Sequence, residues 1–594
     1  MVKYIYILII CTEGYKTLIN KLIENMKRLT LIFIMFVSFA FAVSAKQRND
    51  SQMITEANKV LKSLPANNKG LIKSTDMPEI LRRESQFCVI GYENGGFAFI
   101  ANDDRFSAVL GYSDCKYDEN NLPPAMLWWM EAINASLDKA LESGEQPEMA
   151  PPTDFGYPEA VESLVKTKWN QGTPYNNKCP TYKSGTTTQH YVTGCVATSM
   201  SQVMKYHNYP AKGKATSVSY LFYPNGSSQN GVTARAYLGV TYDWDNMIEN
   251  YEQVKYTDAQ ANAVATLMFN NGVAVEMQYS KDGSAAYSND AATALKTYFS
   301  YSIKFMDRRI YSTKEWMDNI YNELSNGFPI IYGGQSKSGG HSFGFDGYDA
   351  NGLVHVNWGW GGSGDGYFDV ATLNGYDENQ DMIRTHPLDK EENEIPYTST
   401  WGLEKPFNAS IVSGKNVKLG TDGIFNFDAD PFTGNIALGV ISLSSNSASA
   451  YTIATVSDKK IYDGYRSFYG TMDFSDFPDG EYILTLLTKA ETESSWQYVR
   501  SADDVTNSLA MTISGESITF EPLSSDWFVT TDIKDNIIKE DLNSSTGNGE
   551  IKVYNAQGQL VYTSKSEDFD INNVPAKGML IIKNGKNVKK QIAK

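Results

Sequence analysis

Cys195 stands in the run Gln189-His-Tyr-Val-Thr-Gly-Cys-Val-Ala-Thr-Ser-Met-Ser-Gln-Val-Met-Lys-Tyr-His-Asn-Tyr-Pro210. Val196, Met200, Val203, Met204 and His207 recur at helical spacing and Pro210 ends the pattern. The spacing therefore predicts a helix that opens on Cys195, with Thr193 as its N-cap. A thiol at a helix N-terminus meets unpaired N–H groups and the positive end of the dipole, which favour the thiolate. Such a thiol should ionise more readily than free cysteine, and a thiolate beside an imidazole is a nucleophile for acyl transfer.

The imidazole must come from His190, His207, His341, His355 or His386. His341 fits best. It follows two glycines in Ser338-Gly-Gly-His-Ser-Phe-Gly-Phe-Asp-Gly-Tyr348, and Phe343 and Phe345 anchor the strand after it. The turn Asp349-Ala-Asn-Gly352 returns the chain through Leu353-Val-His-Val-Asn-Trp-Gly-Trp-Gly-Gly362. Asn357 on that return is expected to accept the imidazole N–H, and Trp358 to shield the pair from water. An even-numbered loop would leave His341 and Asn357 on opposite faces, so an irregularity is predicted between them, or His341 lies just ahead of the ladder. Gln171, in Lys168-Trp-Asn-Gln-Gly-Thr-Pro-Tyr175, supplies a side-chain amide that could join the Cys195 N–H as an oxyanion hole. His207 reads as a satisfied core histidine, and His190 and His355 as structural. A metal site from Cys179, His190, Cys195 and His207 fails on spacing, and the chemistry calls for no metal or organic cofactor.

The elements that must hold these residues belong to a chain of 594 residues with 52 Lys and Arg against 69 Asp and Glu, a formal charge of −17. That acidity argues against nucleic-acid binding. Five cysteines are too few for a disulfide scaffold. Residues 26–45 have a basic start, an apolar run from Leu31 to Val43 and the small-residue ending Val43-Ser44-Ala45. This predicts an export signal within an N-terminal extension of 1–45 and a secreted or cell-surface product, the run being too short to span a bilayer. A helix is expected at 52–64, strands at Phe87–Tyr92, Gly96–Ala101 and Phe106–Gly111 with a turn at Asn94-Gly95-Gly96, and a helix from Pro124 to Leu141. Ser143–Tyr157, rich in proline and carboxylates, reads as a connector. Short alternating strands over Thr398–Pro522 suit an antiparallel β-sandwich, and 536–594 a small strand-and-turn unit with a lysine-rich end.

The order Gln171, Cys195, His341, Asn357 resembles the papain-like cysteine peptidases. Trp-Asn-Gln-Gly-x-Pro-Tyr-Asn, Thr-Gly-Cys-Val-Ala-Thr, Met-Lys-Tyr-His-Asn-Tyr-Pro and Val-Asn-Trp-Gly-Trp-Gly-Gly resemble the streptopain family in particular. The likeness extends over about residues 46–390, since Gly96–Ser113 is similar to that family's inhibitory propeptide. It implies an α+β protein with a propeptide at 46–155 and a two-lobed papain-like domain at 156–392, to which the strand patterning adds a β-sandwich at 393–535 and a small β unit at 536–594. The tail resembles the C-terminal sorting domains that some Bacteroidetes attach to secreted cargo, which implies a secretion machinery as partner. The implied activity is a secreted zymogen that hydrolyses protein or peptide substrates, with its own propeptide as inhibitor. Cys179 departs from the need for a single free nucleophile, because pairing with Cys195 would silence the enzyme. The rival readings are a transamidase using the same dyad, and a surface-binding protein with an inactive peptidase unit.

Overall fold

The computed structural model describes residues 47–64, 77–144 and 157–523, with short interruptions at 94, 225–229, 253, 337–338, 376–379, 444–446 and 502–504, and strands between 550 and 593. The expected export signal, most of the Ser143–Tyr157 connector, Asn94 and the 535/536 boundary lie outside the described residues. The chain falls into two compact units, Met1–Pro396 and Tyr397–Lys594. It is a mixed α+β protein, and its six described α-helices all belong to the first unit.

The first unit opens with α1 (Asp50–Ser63), started by a reciprocal cap in which Asn49 Oδ1 accepts from Gln52 N–H at 3.0 Å and Gln52 Oε1 from Asn49 N–H at 2.9 Å. Met53, Ala57 and Leu61, spaced four apart, form its buried face. Strands β1 (Glu79–Arg83), β2 (Phe87–Gly91), β3 (Phe97–Ala101) and β4 (Val109–Ser113) follow. The last begins later than its apolar run suggests, because Asp103–Phe106 first closes a turn, with Phe106 N–H donating to Asp103 O at 3.3 Å. Helix α2 (Pro124–Ser143) has proline in its first turn and ends on Gly144 at φ 72°. Beyond the connector come α3 (Cys195–His207), α4 (Asp258–Ala274), α5 (Ser288–Phe299), β5 (Tyr301–Asp307), α6 (Thr313–Ser325), β6 (Ile330–Ser336), β7 (Gly339–Tyr348), β8 (Val354–Asn357), β9 (Gly366–Phe368) and β10 (Gln380–Pro387).

One antiparallel sheet of ten strands runs through this unit in the order β1-β2-β3-β4-β9-β8-β7-β6-β10-β5. The four N-terminal strands are thus not a separate layer: they extend the sheet that carries His341, through Tyr112 opposite Tyr367 and Gly111 opposite Phe368. Trp129 of α2 covers that seam. Its ring lies 5.0 Å from both Phe99 and Phe368, and its indole N–H donates to Asp369 O at 2.8 Å. Each such aromatic pair contributes about 0.5–1.5 kcal/mol beyond its area burial.

At the other end of β7, Val161 exchanges backbone hydrogen bonds with Tyr348, and Leu164 N–H donates to Asp346 O at 2.7 Å. The segment passes so close to Gly347 that a Cβ there would lie 2.6 Å from Val161 O. This is a position only glycine fills.

In the second unit, sheets of four, three and six strands enclose a core that includes Trp401, Phe432, Leu484 and Met511. The expected all-antiparallel pattern is broken at one place, where Trp401–Leu403 runs parallel to Arg500–Ser501. A further antiparallel sheet of four strands spans Glu550–Ala593. No helix among the described residues is long and apolar enough to cross a membrane.

Gly347→Ala should therefore push the 161–164 segment off β7. The expected loss is about 1–3 kcal/mol, measured as a lower urea midpoint for the first unit, with the second unit's transition unmoved.

Candidate functional site

Helix α3 begins on Cys195, but its N-cap is Gly194 at φ 90° rather than Thr193, whose hydroxyl pairs with Thr198 Oγ1 at 3.0 Å. A side chain at Gly194 would meet Met277 Sδ at 2.8 Å and Ser284 O at 2.9 Å, so the approach to the helix is built around glycine. Backbone N–H groups at the head of the helix and at Ser342 favour the Cys195 thiolate. Burial nevertheless outweighs these donors and holds the thiol above its ordinary pKa, the reverse of the expected direction. A helix terminus is worth only about 0.3–1 kcal/mol when exposed, less than the cost of desolvating a buried thiolate. Cys179 and Cys195 are both free. Burial pushes the Cys179 thiol up to about 12, so it competes poorly as a nucleophile.

His341 pairs with Gly334, and its neighbour Ser342 with Gly333. Ser342 Oγ lies 2.7 Å from Ser199 Oγ, so α3 packs on the Ser342 face of β7. Side chains alternate along a strand, so His341 and Phe343 look the other way. Their face is occupied by α2: Trp128 lies 5.8 Å from the Phe343 ring, and a Cβ on Gly334 would collide with its indole. Among the described residues no hydrogen bond joins Cys195 to His341. The Ser342 N–H beside His341 favours the thiolate, the strand alternation directs the His341 side chain to the α2 side, and burial lowers the imidazole pKa.

The predicted irregularity is present, a bulge at Asp346, but its effect differs from the expectation. The loop between Tyr348 and Val354 is odd-numbered, and the bulge cancels that offset, so Asn357 stands opposite Gly344. Asn357 thus faces α3, away from His341. Its Nδ2 donates to Thr167 O at 2.8 Å, and its Oδ1 accepts from Gln202 Nε2 at 2.9 Å and Gly359 N–H at 3.1 Å. Asn357 does not orient the imidazole here; both ends of its amide are committed elsewhere. Trp358 is buried, its ring 4.9 Å from Phe343, with its indole N–H on Gly364 O at 2.9 Å. Gln171 is pinned by its backbone, its carbonyl accepting from Thr193 N–H at 3.1 Å, two residues before Cys195. Among the described residues its side-chain amide has no hydrogen-bond partner.

The other imidazoles are engaged or remote. His190 Nδ1 lies 2.6 Å from Cys179 O, and His386 pairs with Glu323 at 2.7 Å. His207, in the last turn of α3, has an unpartnered buried Nε2 and a pKa lowered by burial to about 4, so it is packed but not satisfied as expected. His355 is held in a structural pair with a buried carboxylate. Its Nδ1 lies 2.5 Å from Asp346 Oδ1, and although burial works against protonation, that carboxylate raises its pKa. Asp346 also accepts from Ser163 Oγ at 2.7 Å and Val165 N–H at 2.9 Å, tying the 163–165 stretch to the bulge. Asp346 breaks the alternation of its strand, which was the available signal.

Residues 169–368 match the model of the peptidase C10 family. The chain is 34% identical over 306 residues to streptopain of Streptococcus pyogenes, covering 49% of this chain and 75% of that one. It is 28% identical over 455 residues to the thiol protease/hemagglutinin PrtT of Porphyromonas gingivalis, covering 70% of this chain and 50% of that one. Among solved structures, a prointerpain A fragment of Prevotella intermedia is 39% identical with a TM-score of 0.48, covering 52% of this chain and 97% of that one. With its thiol at the head of α3 and these relatives, the chain belongs to the peptidase C10 family and is a cysteine-type peptidase.

Proposed function

We propose that the protein is an exported endopeptidase made in latent form, with Cys195 as nucleophile and His341 as its base and acid. The observation that carries this reading is the Ser342 N–H, next to His341, favouring the Cys195 thiolate beside the pinned backbone of Gln171. Cys195 attacks the scissile carbonyl, and the oxyanion is held by the Cys195 N–H and the Gln171 amide. His341 passes its proton to the leaving amine, and water then releases the acyl group. Trp358 packs beside Phe343 on the His341 face and keeps water from the imidazole. The catalytic part is papain-like and two-lobed, extending from about residue 156 to 392, and its substrates are proteins or peptides. The pattern at 26–45 supports export, and the tail supports handling by a secretion machinery.

Latency follows from the leader, residues 46–155. Trp128 occupies the face of β7 toward which His341 points, and burial keeps the thiol protonated. Removal of the leader by cleavage in the connector would uncover that face and free the imidazole to meet the sulfur. The leader strands are bonded into the sheet, so removal must break the β4–β9 pairing as well as the peptide bond.

Cys195→Ala in residues 46–594 should remain full length and fail to digest casein, whereas the parent sheds an N-terminal piece of about 110 residues, a length set by the domain-scale segment before the connector. An alanine form that still cleaves casein would refute the nucleophile. Trp128→Ala should mature several-fold faster in a gel time course and yield the same mature product, since the substituted residue is discarded. The raised thiol pKa means thiolate is scarce at neutral pH in the uncleaved chain and accumulates only as pH rises. Iodoacetamide should thus alkylate Cys195 of the uncleaved chain more slowly at pH ~7 than a free cysteine of pKa ~8.5, and much faster once the leader has gone.

A further inference from the structure

Gln202 has no assigned role, yet it is 2% exposed and fully engaged at the centre of the site. It lies two helical turns beyond Cys195, on the α3 face that also carries Ser199. Its Nε2 donates to Asn357 Oδ1 at 2.9 Å, Asn357 Nδ2 donates to Thr167 O at 2.8 Å, and Thr167 Oγ1 donates back to Gln202 Oε1 at 3.0 Å. The same Oε1 accepts from Trp169 N–H at 3.3 Å. Thr167 and Asn357 are each 3% exposed, so the ring of hydrogen bonds is closed and shielded from water. In such a setting every member is costly to orphan.

The ring joins three pieces of chain that carry the site. One is the nucleophile helix. The second is the stretch Thr167–Gln171, whose far end is fixed to Thr193. The third is the end of β8, where Asn357 precedes Trp358 and Gly359 meets Thr198 of α3. We propose that Gln202 is a positioning residue, one that sets the distance from the Gln171 amide to the Cys195 sulfur by clamping Trp169 and Asn357 onto α3. This rests on the dyad and oxyanion assignments above. It also gives Asn357 a different task, as a strut for the oxyanion donor in place of a partner for the imidazole.

The clamp should matter for an oxyanion and not for simple thiol chemistry. Alkylation by iodoacetamide needs only the thiolate, whereas amide hydrolysis and capture of a peptide aldehyde both build charge on oxygen. A displacement of about 1 Å at such a donor costs on the order of a hundredfold in rate. The test uses the full chain carrying Gln202→Met, processed in trans by tagged parent enzyme that is then removed. Thr167→Val, which deletes one bond of the ring, serves as a milder second variant.

The expected result is a fall in kcat per titrated thiol of about 10- to 100-fold with KM within threefold. A parallel weakening of peptide-aldehyde inhibition should accompany it, while the rate and pH dependence of Cys195 alkylation stay within threefold. Thr167→Val should show the same split on a smaller scale. Normal kcat per titrated thiol in either folded variant would overturn the proposal, as would alkylation falling in step with hydrolysis. If Gln202→Met does not fold, Thr167→Val decides alone by the same criteria. Failure of the parent chain to hydrolyse peptides would instead overturn the proposed function.

Discussion

The alternation of side chains along β7 governs this molecule. Ser342 faces the helix that carries Cys195, and His341 therefore faces the opposite layer, where α2 lies. Cys195 lies on the helix side of β7, so a side chain at position 341 of the regular strand is directed to the other side. The segment 47–144 covers that opposite side. It packs Trp128 on the side of β7 to which position 341 is directed, and it joins its own four strands to the same sheet.

The same geometry explains the electrostatics. A helix N-terminus favours a thiolate, and the backbone N–H groups of Val196 and Ser342 add to that effect at Cys195. Burial overrides them, because no imidazolium stands by to share the charge. The imidazole is in turn depressed by its own burial. Burial pushes both groups the same way, toward their neutral forms.

The candidate residues were more legible in the sequence than their orientation. Cys195 between glycine and a helical apolar pattern, Gln171 between tryptophan and glycine, and His341 after paired glycines all stand out by type and local context. The leader helix at Pro124 and the strand runs around it were legible because apolar spacing and proline placement are local properties. The facing of Asn357 was not, because it depends on loop parity and on the Asp346 bulge together, and each reverses the other. Gln202 escaped notice because a glutamine in an amphipathic helix reads as part of the wet face. Only the packing of three chain segments makes it a buried hub. The N-cap was misassigned for a related reason: the close approach of Met277 and Ser284, distant in sequence, requires Gly194 itself at the turn.

The most direct test of this account is a crystal structure of the chain after its leader has been removed. The account predicts the His341 ring swung to the Cys195 side of β7, with an imidazole nitrogen about 3–4 Å from the sulfur, the reach of a nucleophile–base pair. A mature enzyme, active toward peptides, in which the ring still faces away from Cys195 would contradict it.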